Sequence, residues 1–196
     1  MIYLIRHGQT KANLEDRFAG WTHEPLTHKG RQQAKEAAKL LKGRGITLIY
    51  SSPLPRTLET SWIISEIIKA PVAVERGVCE IKIPVWDGRL KEELKKDQSS
   101  GYSLWKKSPH LFKKEGAEDL LSLQKRAVES IKRLANIHDI PILIVTHLAV
   151  MRVLILYFKG IGLEGYRDVK VDNARPLVLY NKDGYFFIKN LDGGNK

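Results

Sequence analysis

The chain has 196 residues, of which 43% are hydrophobic and 28% charged. That is about the length of one ordinary domain with enough apolar side chains to bury a core, so a disordered, collagen-like or coiled-coil protein is excluded. Lys plus Arg number 33 against 22 Asp plus Glu, a formal net charge of +11, and such a field draws in anions, whether phosphorylated metabolites, nucleic acid or an acidic lipid surface.

The chain opens on a strand-like apolar run, Ile2 to Ile5, that stops abruptly at Arg6-His7-Gly8. This opening lacks the charged, apolar and small-residue order of a signal peptide, which predicts a cytoplasmic protein. Residues from Thr27 to Lys42 read as an amphipathic helix, with Thr27 as its cap, Ala34, Ala37, Ala38 and Leu41 as its stripe, and Gly43 and Gly45 as its stop. The β-branched run Ile46 to Tyr50 predicts a second strand. Ser52-Pro53-Leu54-Pro55 then starts a helix reaching about Lys69, since prolines are tolerated in a first turn. Val72 to Val74 is a short third strand. Cys79 is the single cysteine, so no internal disulfide forms and a reducing compartment fits.

Between about 81 and 116 the periodicity degrades into short pieces broken by Ser99-Ser100-Gly101 and Pro109, an excursion from one main domain spanning 1–196. A long helix is expected from about Glu118 to Ile137, and a continuous apolar strand from Ile142 to Val145 ends at Thr146-His147. Leu148 to Phe158 is a strongly apolar helix interrupted by Arg152. It falls well short of the roughly 18 residues a membrane span needs. Leu177 to Tyr180 and Tyr185 to Ile188, joined across Asp183-Gly184, read as a hairpin. Alternating strands and helices predict a three-layer α/β/α sandwich on a mostly parallel sheet, with an antiparallel C-terminal edge.

In open α/β sheets ligands bind beyond the carboxyl ends of the strands. Three polar stretches fall there: Arg6-His7-Gly8, Ser51-Ser52-Pro53-Leu54-Pro55-Arg56 and Thr146-His147. Parallel neighbours would bring two histidines and two arginines together. Such a set suits phosphoryl transfer, where catalysis is mainly positioning and charge stabilisation. Arginine offers planar bidentate donors, and an unprotonated histidine is able to attack phosphorus and split one displacement into two.

These stretches, in this order, resemble the histidine phosphatase superfamily, in its phosphoglycerate mutase-like branch. Arg6-His7-Gly8-Gln9-Thr10 with Asn13 is similar to the family's opening signature, and Phe18-Ala19-Gly20-Trp21 with Pro25-Leu26-Thr27 to its second block. Ser51 to Thr57 resembles the third block and Val145-Thr146-His147 the last. The resemblance implies His7 as the phosphorylated nucleophile and Arg6 and Arg56 as phosphate clamps. It further implies His147 as the stabilising histidine, Asn13 as a further phosphate contact, Gly20 as a substrate-binding position, and Glu80 as the acid that protonates the leaving oxygen. It implies a small phosphorylated substrate and neither a metal nor another cofactor, and leaves the oligomeric state open.

The chain departs from the pattern in two places. Leu148 follows the second histidine where the family usually has Gly. After Glu80, Pro84 precedes Trp86-Asp87-Gly88 where many phosphatases carry Gly, and Ile81-Lys82-Ile83-Pro84 stands where mutases carry Arg-His-Tyr-Gly. Hydrolysis is therefore favoured over phosphoglycerate mutation, which stays as the alternative. A basic nucleic-acid-binding module is the alternative of another class, motivated by the charge and by the Lys/Trp-rich excursion at 81–116, but no helix-turn-helix, zinc-finger or RNA-binding signature accompanies it.

The 81–116 excursion mixes lysines with Trp86, Tyr102, Trp105 and Phe112. It reads either as a solvated basic face over a small satellite core or as a lid selecting an amphipathic phosphate or diphosphate ester. His23, His28, His110 and His138 show no metal-binding spacing, and Cys79 reads as a small buried filler. The residues do not choose among sugar phosphates, nucleotides, phosphoproteins and prenyl phosphates.

Overall fold

Strand alternation organises the computed structural model, which describes residues 1–182 and 185–191. The elements run β1 (Ile2–Arg6), α1 (Lys11–Leu14), α2 (His28–Leu41), β2 (Leu48–Ser51), α3 (Pro55–Ile68) and β3 (Val72–Val74). They continue through α4 (Lys91–Lys96), α5 (Tyr102–Lys107), α6 (Leu120–Ile137), β4 (Ile142–Thr146), α7 (Leu148–Phe158), β5 (Leu177–Lys182) and β6 (Tyr185–Asn190). The sheet order is β3-β2-β4-β1-β5-β6. β1, β2, β3 and β4 pair in parallel, while β5 and β6 add an antiparallel edge.

Side chains one apart on a strand point to opposite faces, and here each face has its own helices. Ile2 and Leu4 of β1 join Ile142 and Ile144 of β4 in a core with α6 and α7. Tyr3, Ile5, Leu143 and Val145 face the other way, onto Ala37, Ala38 and Leu41 of α2 and Ile64 of α3. The result is the expected α/β/α sandwich. β4, the most apolar strand, lies at its centre with all five residues buried.

Element ends follow their caps. Thr27 Oγ accepts from Gly30 N (3.0 Å) at the start of α2. α6 begins two residues later than its apolar pattern predicts, because the Asp119 carboxylate accepts from Ser122 N (2.7 Å). The second strand runs to Ser51 rather than Tyr50. α1, a single turn, has no apolar stripe to announce it. The Asp183-Gly184 turn of the expected hairpin lies outside the described residues, and the pairing of β5 with β6 holds on either side of it. No helix among the described residues is long and apolar enough to cross a membrane.

Between 81 and 116 the chain winds through single 3₁₀ turns and the two short helices α4 and α5 around one side chain. Trp86 is fully buried and meets Phe18 (5.1 Å), Tyr102 (5.3 Å) and Trp105 (5.7 Å) edge-on, with Phe112 tilted at 4.8 Å. Its indole nitrogen donates to Ser100 O (3.0 Å). These rings belong to the same core as α6 and α7 rather than to a separate satellite. Lys82, Lys95, Lys106 and Lys107 stay exposed. The buried rings therefore offer no stacking platform for bases, which removes half of the motive for a nucleic-acid module.

Candidate active site

Sheet register gathers the polar stretches. Arg6 pairs with Thr146 and Ser51 with Val145, so β1, β2 and β4 end side by side. His7 N donates to Thr146 O (3.0 Å) and Ser52 N to Val145 O (3.1 Å), carrying the pairing one residue beyond the strands.

His7 Nδ1 lies 2.7 Å from Gly8 O. A carbonyl only accepts, so Nδ1 holds the proton and Nε2 keeps its lone pair. Gly8 packs against the first turn of α2 so closely that a Cβ there would fall 2.4 Å from Gly30 O. Gly8 N donates to Thr60 Oγ1 (3.1 Å), which itself bonds to Arg56 O. The His147 ring is tilted 59° to that of His7 with centroids 5.4 Å apart. His147 Nε2 meets Ser52 Oγ (2.7 Å), and its Nδ1 is buried without a partner. Burial pushes both imidazoles well below the usual histidine range, and the Arg56 and Arg6 charges push the same way. Both are therefore neutral.

Arg6 donates from Nη1 to Val171 O (3.0 Å), and burial lowers its pKa to about 10. Arg56 is fully buried and donates to Thr22 O (3.2 Å) and Gly20 O. The Nε of each is buried and unpartnered. Gly20 sits at φ +47°, and a Cβ there would fall 1.7 Å from Asp87 Oδ1. Its contribution to the site is a carbonyl that holds Arg56. Asn13 Oδ1 accepts from Thr10 N (3.1 Å) and Asn173 Nδ2 (3.3 Å), and Asn173 also donates to His7 O (2.9 Å). Glu80 accepts from Ile81 N (3.0 Å). Burial raises its pKa above the usual carboxylate value, against the opposing pull of Arg56 and Arg6.

Arg6, His7, Asn13, Gly20, Arg56 and Glu80 all line one cavity of about 260 Å³. His147 is fully buried beside His7 rather than on the cavity wall. Leu148 and Ala149 are on that wall, so the N-terminal end of α7, with its positive partial charge, faces the cavity. Arg17, Lys91, Arg152, Tyr166 and Arg167 also line it and escape the sequence patterns. Arg152 has one visible signal, as the charge that breaks the apolar run of α7. Arg167 has none, because it arrives through the turn after that helix. Among the described residues no group of three or more His, Cys, Asp or Glu is placed to hold a metal ion.

This fold with this site defines a class. Residues 2–192 match the family model of the histidine phosphatase superfamily (branch 1), and the chain belongs to that family. Phosphoserine phosphatase 1 of Hydrogenobacter thermophilus is 28% identical over 183 residues, 93% of this chain and 87% of its own. The 2,3-bisphosphoglycerate-dependent phosphoglycerate mutase of Thermoplasma acidophilum is 33% identical over 177 residues, covering 90% and 84% of the two chains. Among solved structures, Bacillus stearothermophilus YhfR matches with a TM-score of 0.91 at 30% identity, over 96% of this chain and 95% of its own. Family membership together with a phosphatase relative supports a phosphoric ester hydrolase.

Proposed function

We propose that the protein hydrolyses phosphate monoesters without a metal, through a covalent phosphohistidine on His7. The observation that carries this reading is the His7 ring itself. Its Nδ1 proton is held by Gly8 O, which leaves Nε2 as a neutral nucleophile in a cavity walled by Arg6, Arg56 and Glu80.

The steps follow from the charges. The ester's phosphoryl group settles against Arg6, Arg56 and the start of α7, with Asn13 at the side. Nε2 forms a bond to phosphorus as the ester P–O bond breaks, and the Glu80 carboxyl gives its proton to the departing alcohol. The Glu80 carboxylate then takes a proton from water, whose oxygen attacks phosphorus. The P–N bond breaks and inorganic phosphate leaves. His147 lies behind His7 as a neutral imidazole, and a dianion bound in the adjoining cavity raises its proton affinity. A proton taken up from solvent with the substrate then makes it a cationic stabiliser.

His7→Ala is expected to abolish hydrolysis of p-nitrophenyl phosphate while circular dichroism stays native, and EDTA to leave the wild type active. Undiminished activity in that variant would refute the mechanism. The mutase relative favours a second reading, phosphoglycerate mutation, which shares the first half-reaction. Transfer between the 2- and 3-positions of phosphoglycerate faster than release of inorganic phosphate would establish it. Ile81 and Ile83 argue the other way. They stand where mutases carry Arg-His-Tyr-Gly and are buried in the core.

A further inference from the structure

We propose that Arg152 and Arg167 form a second anion subsite, so that the preferred substrates are compact phosphate esters bearing a further anionic group, a carboxylate or a second phosphate. This rests on the phosphatase reading of the same cavity.

The argument begins with unmatched cations. Arg56 and Arg6 are the charges that act on His7, Arg152 on α7 acts on Arg6, and Arg167, at the end of the 3₁₀ turn Leu163–Arg167, neighbours Arg152; all four line the cavity. The guanidinium carbons of Arg152 and Arg167 lie 5.0 and 5.8 Å from the Tyr166 ring centroid, which puts both around one ring on one wall. Among the described residues, neither lies within ion-pair distance of a carboxylate. The rim cations are matched, Arg17 to Glu15 (2.7 Å) and Lys91 to Asp16. Arg152 commits Nε to Val169 O (2.8 Å) and Arg167 commits Nη2 to Trp105 O, while Arg167 Nε is buried without a partner.

The phosphoryl group does not answer this excess. Its dianion offsets about two guanidinium charges, and Arg6 and Arg56 stand nearest His7 to supply them. Glu80 faces Arg6 and Arg56, so any charge it carries is matched to that inner pair. Arg152 gives one hydrogen bond to the Tyr166 hydroxyl, and Arg167 stacks on Tyr166 and Trp105 without using an N–H there. Both side chains line the cavity with further N–H donors beyond these bonds, and a guanidinium's planar donors match the oxygen pair of a carboxylate or phosphate. A long apolar tail would bury those donors unmade, which is unfavourable. The volume of about 260 Å³ lies near the small end of ligand pockets, roughly 300–1,000 Å³, and accommodates a compact ester.

The test compares matched esters: 3-phosphoglycerate against glycerol 3-phosphate for the carboxylate arm, and 1,3-propanediol bisphosphate against propyl phosphate for the phosphate arm. The wild type should favour the doubly anionic member of at least one pair by about tenfold or more in kcat/KM, the usual scale of a charged hydrogen bond. Arg152→Gln and Arg167→Gln should each reduce that ratio about tenfold, mainly through KM. Arg152→Lys and Arg167→Lys, which keep the charge but lose the fork, should restore it in part. A wild type that hydrolyses both members of both pairs equally would overturn the subsite and leave the phosphatase reading standing, as would a ratio unchanged in every variant. Hydrolysis of no ester at all would overturn the phosphatase reading itself.

Discussion

Each reacting side chain holds a protonation state set by what surrounds it. His7 and His147 are neutral because burial and two arginines disfavour a third and fourth cation. Burial raises the Glu80 pKa above the usual carboxylate value, against the pull of the same arginines. The signs are opposite, which is what a nucleophile and an acid sharing one site need. The acid limb of kcat/KM, where His7 gains a proton, should therefore lie below the ordinary histidine value of about 6.5. The alkaline limb, where Glu80 loses one, should lie above the ordinary carboxylate value. Glu80→Gln should erase the alkaline limb and slow alkyl phosphates by about 10²–10⁴, the range of general acid catalysis. p-Nitrophenyl phosphate, whose leaving group needs little protonation, should lose much less, and a pH–rate profile with both esters reads the difference. Arg6, His7, Arg56 and His147 were legible because each adjoins a strand end or opens a helix within a dense motif. Arg152, Tyr166 and Arg167 were not. They meet only when the turn after α7 folds back against α5, and no local spacing encodes that approach.

Among the elements, regular strands and helices announced themselves and the 81–116 segment did not. β1 and β4 show both faces of the sheet in their alternation, and α2 carries its alanine stripe and its Thr27 cap in adjacent residues. The 81–116 segment has no period because its turns are each about one winding long and converge on a single ring. Trp86 is therefore the pivot of that segment. Trp86→Ala should cost about 3–5 kcal/mol, as truncating a fully buried aromatic does, and thermal melting measures it. The same change should weaken substrate binding, because Tyr102 and Trp105, which pack on Trp86, also line the cavity. Among exposed neighbours, Lys106→Ala should leave the melting temperature within a degree or two, since surface changes rarely exceed about 0.5 kcal/mol.

Across the whole molecule, the net charge of +11 and the row of arginines act in the same direction on an approaching anion. Steering of this kind is screened by salt, as the Debye length shrinks from about 30 Å at 0.01 M to about 8 Å at 0.15 M. The kcat/KM for an anionic ester should fall severalfold over that range while kcat changes little, which initial rates at several ionic strengths will show. The sheet makes this focus by ending three parallel strands together, and α7 points its positive end into the same space. Rapid mixing with a ³²P-labelled ester, quenched in alkaline detergent, tests the central claim most directly. The account predicts a burst of protein-bound label that survives alkali, is lost in acid, maps to the peptide containing His7 and is absent in His7→Asn. Turnover that persists in His7→Asn, or label residing on another residue, would contradict it.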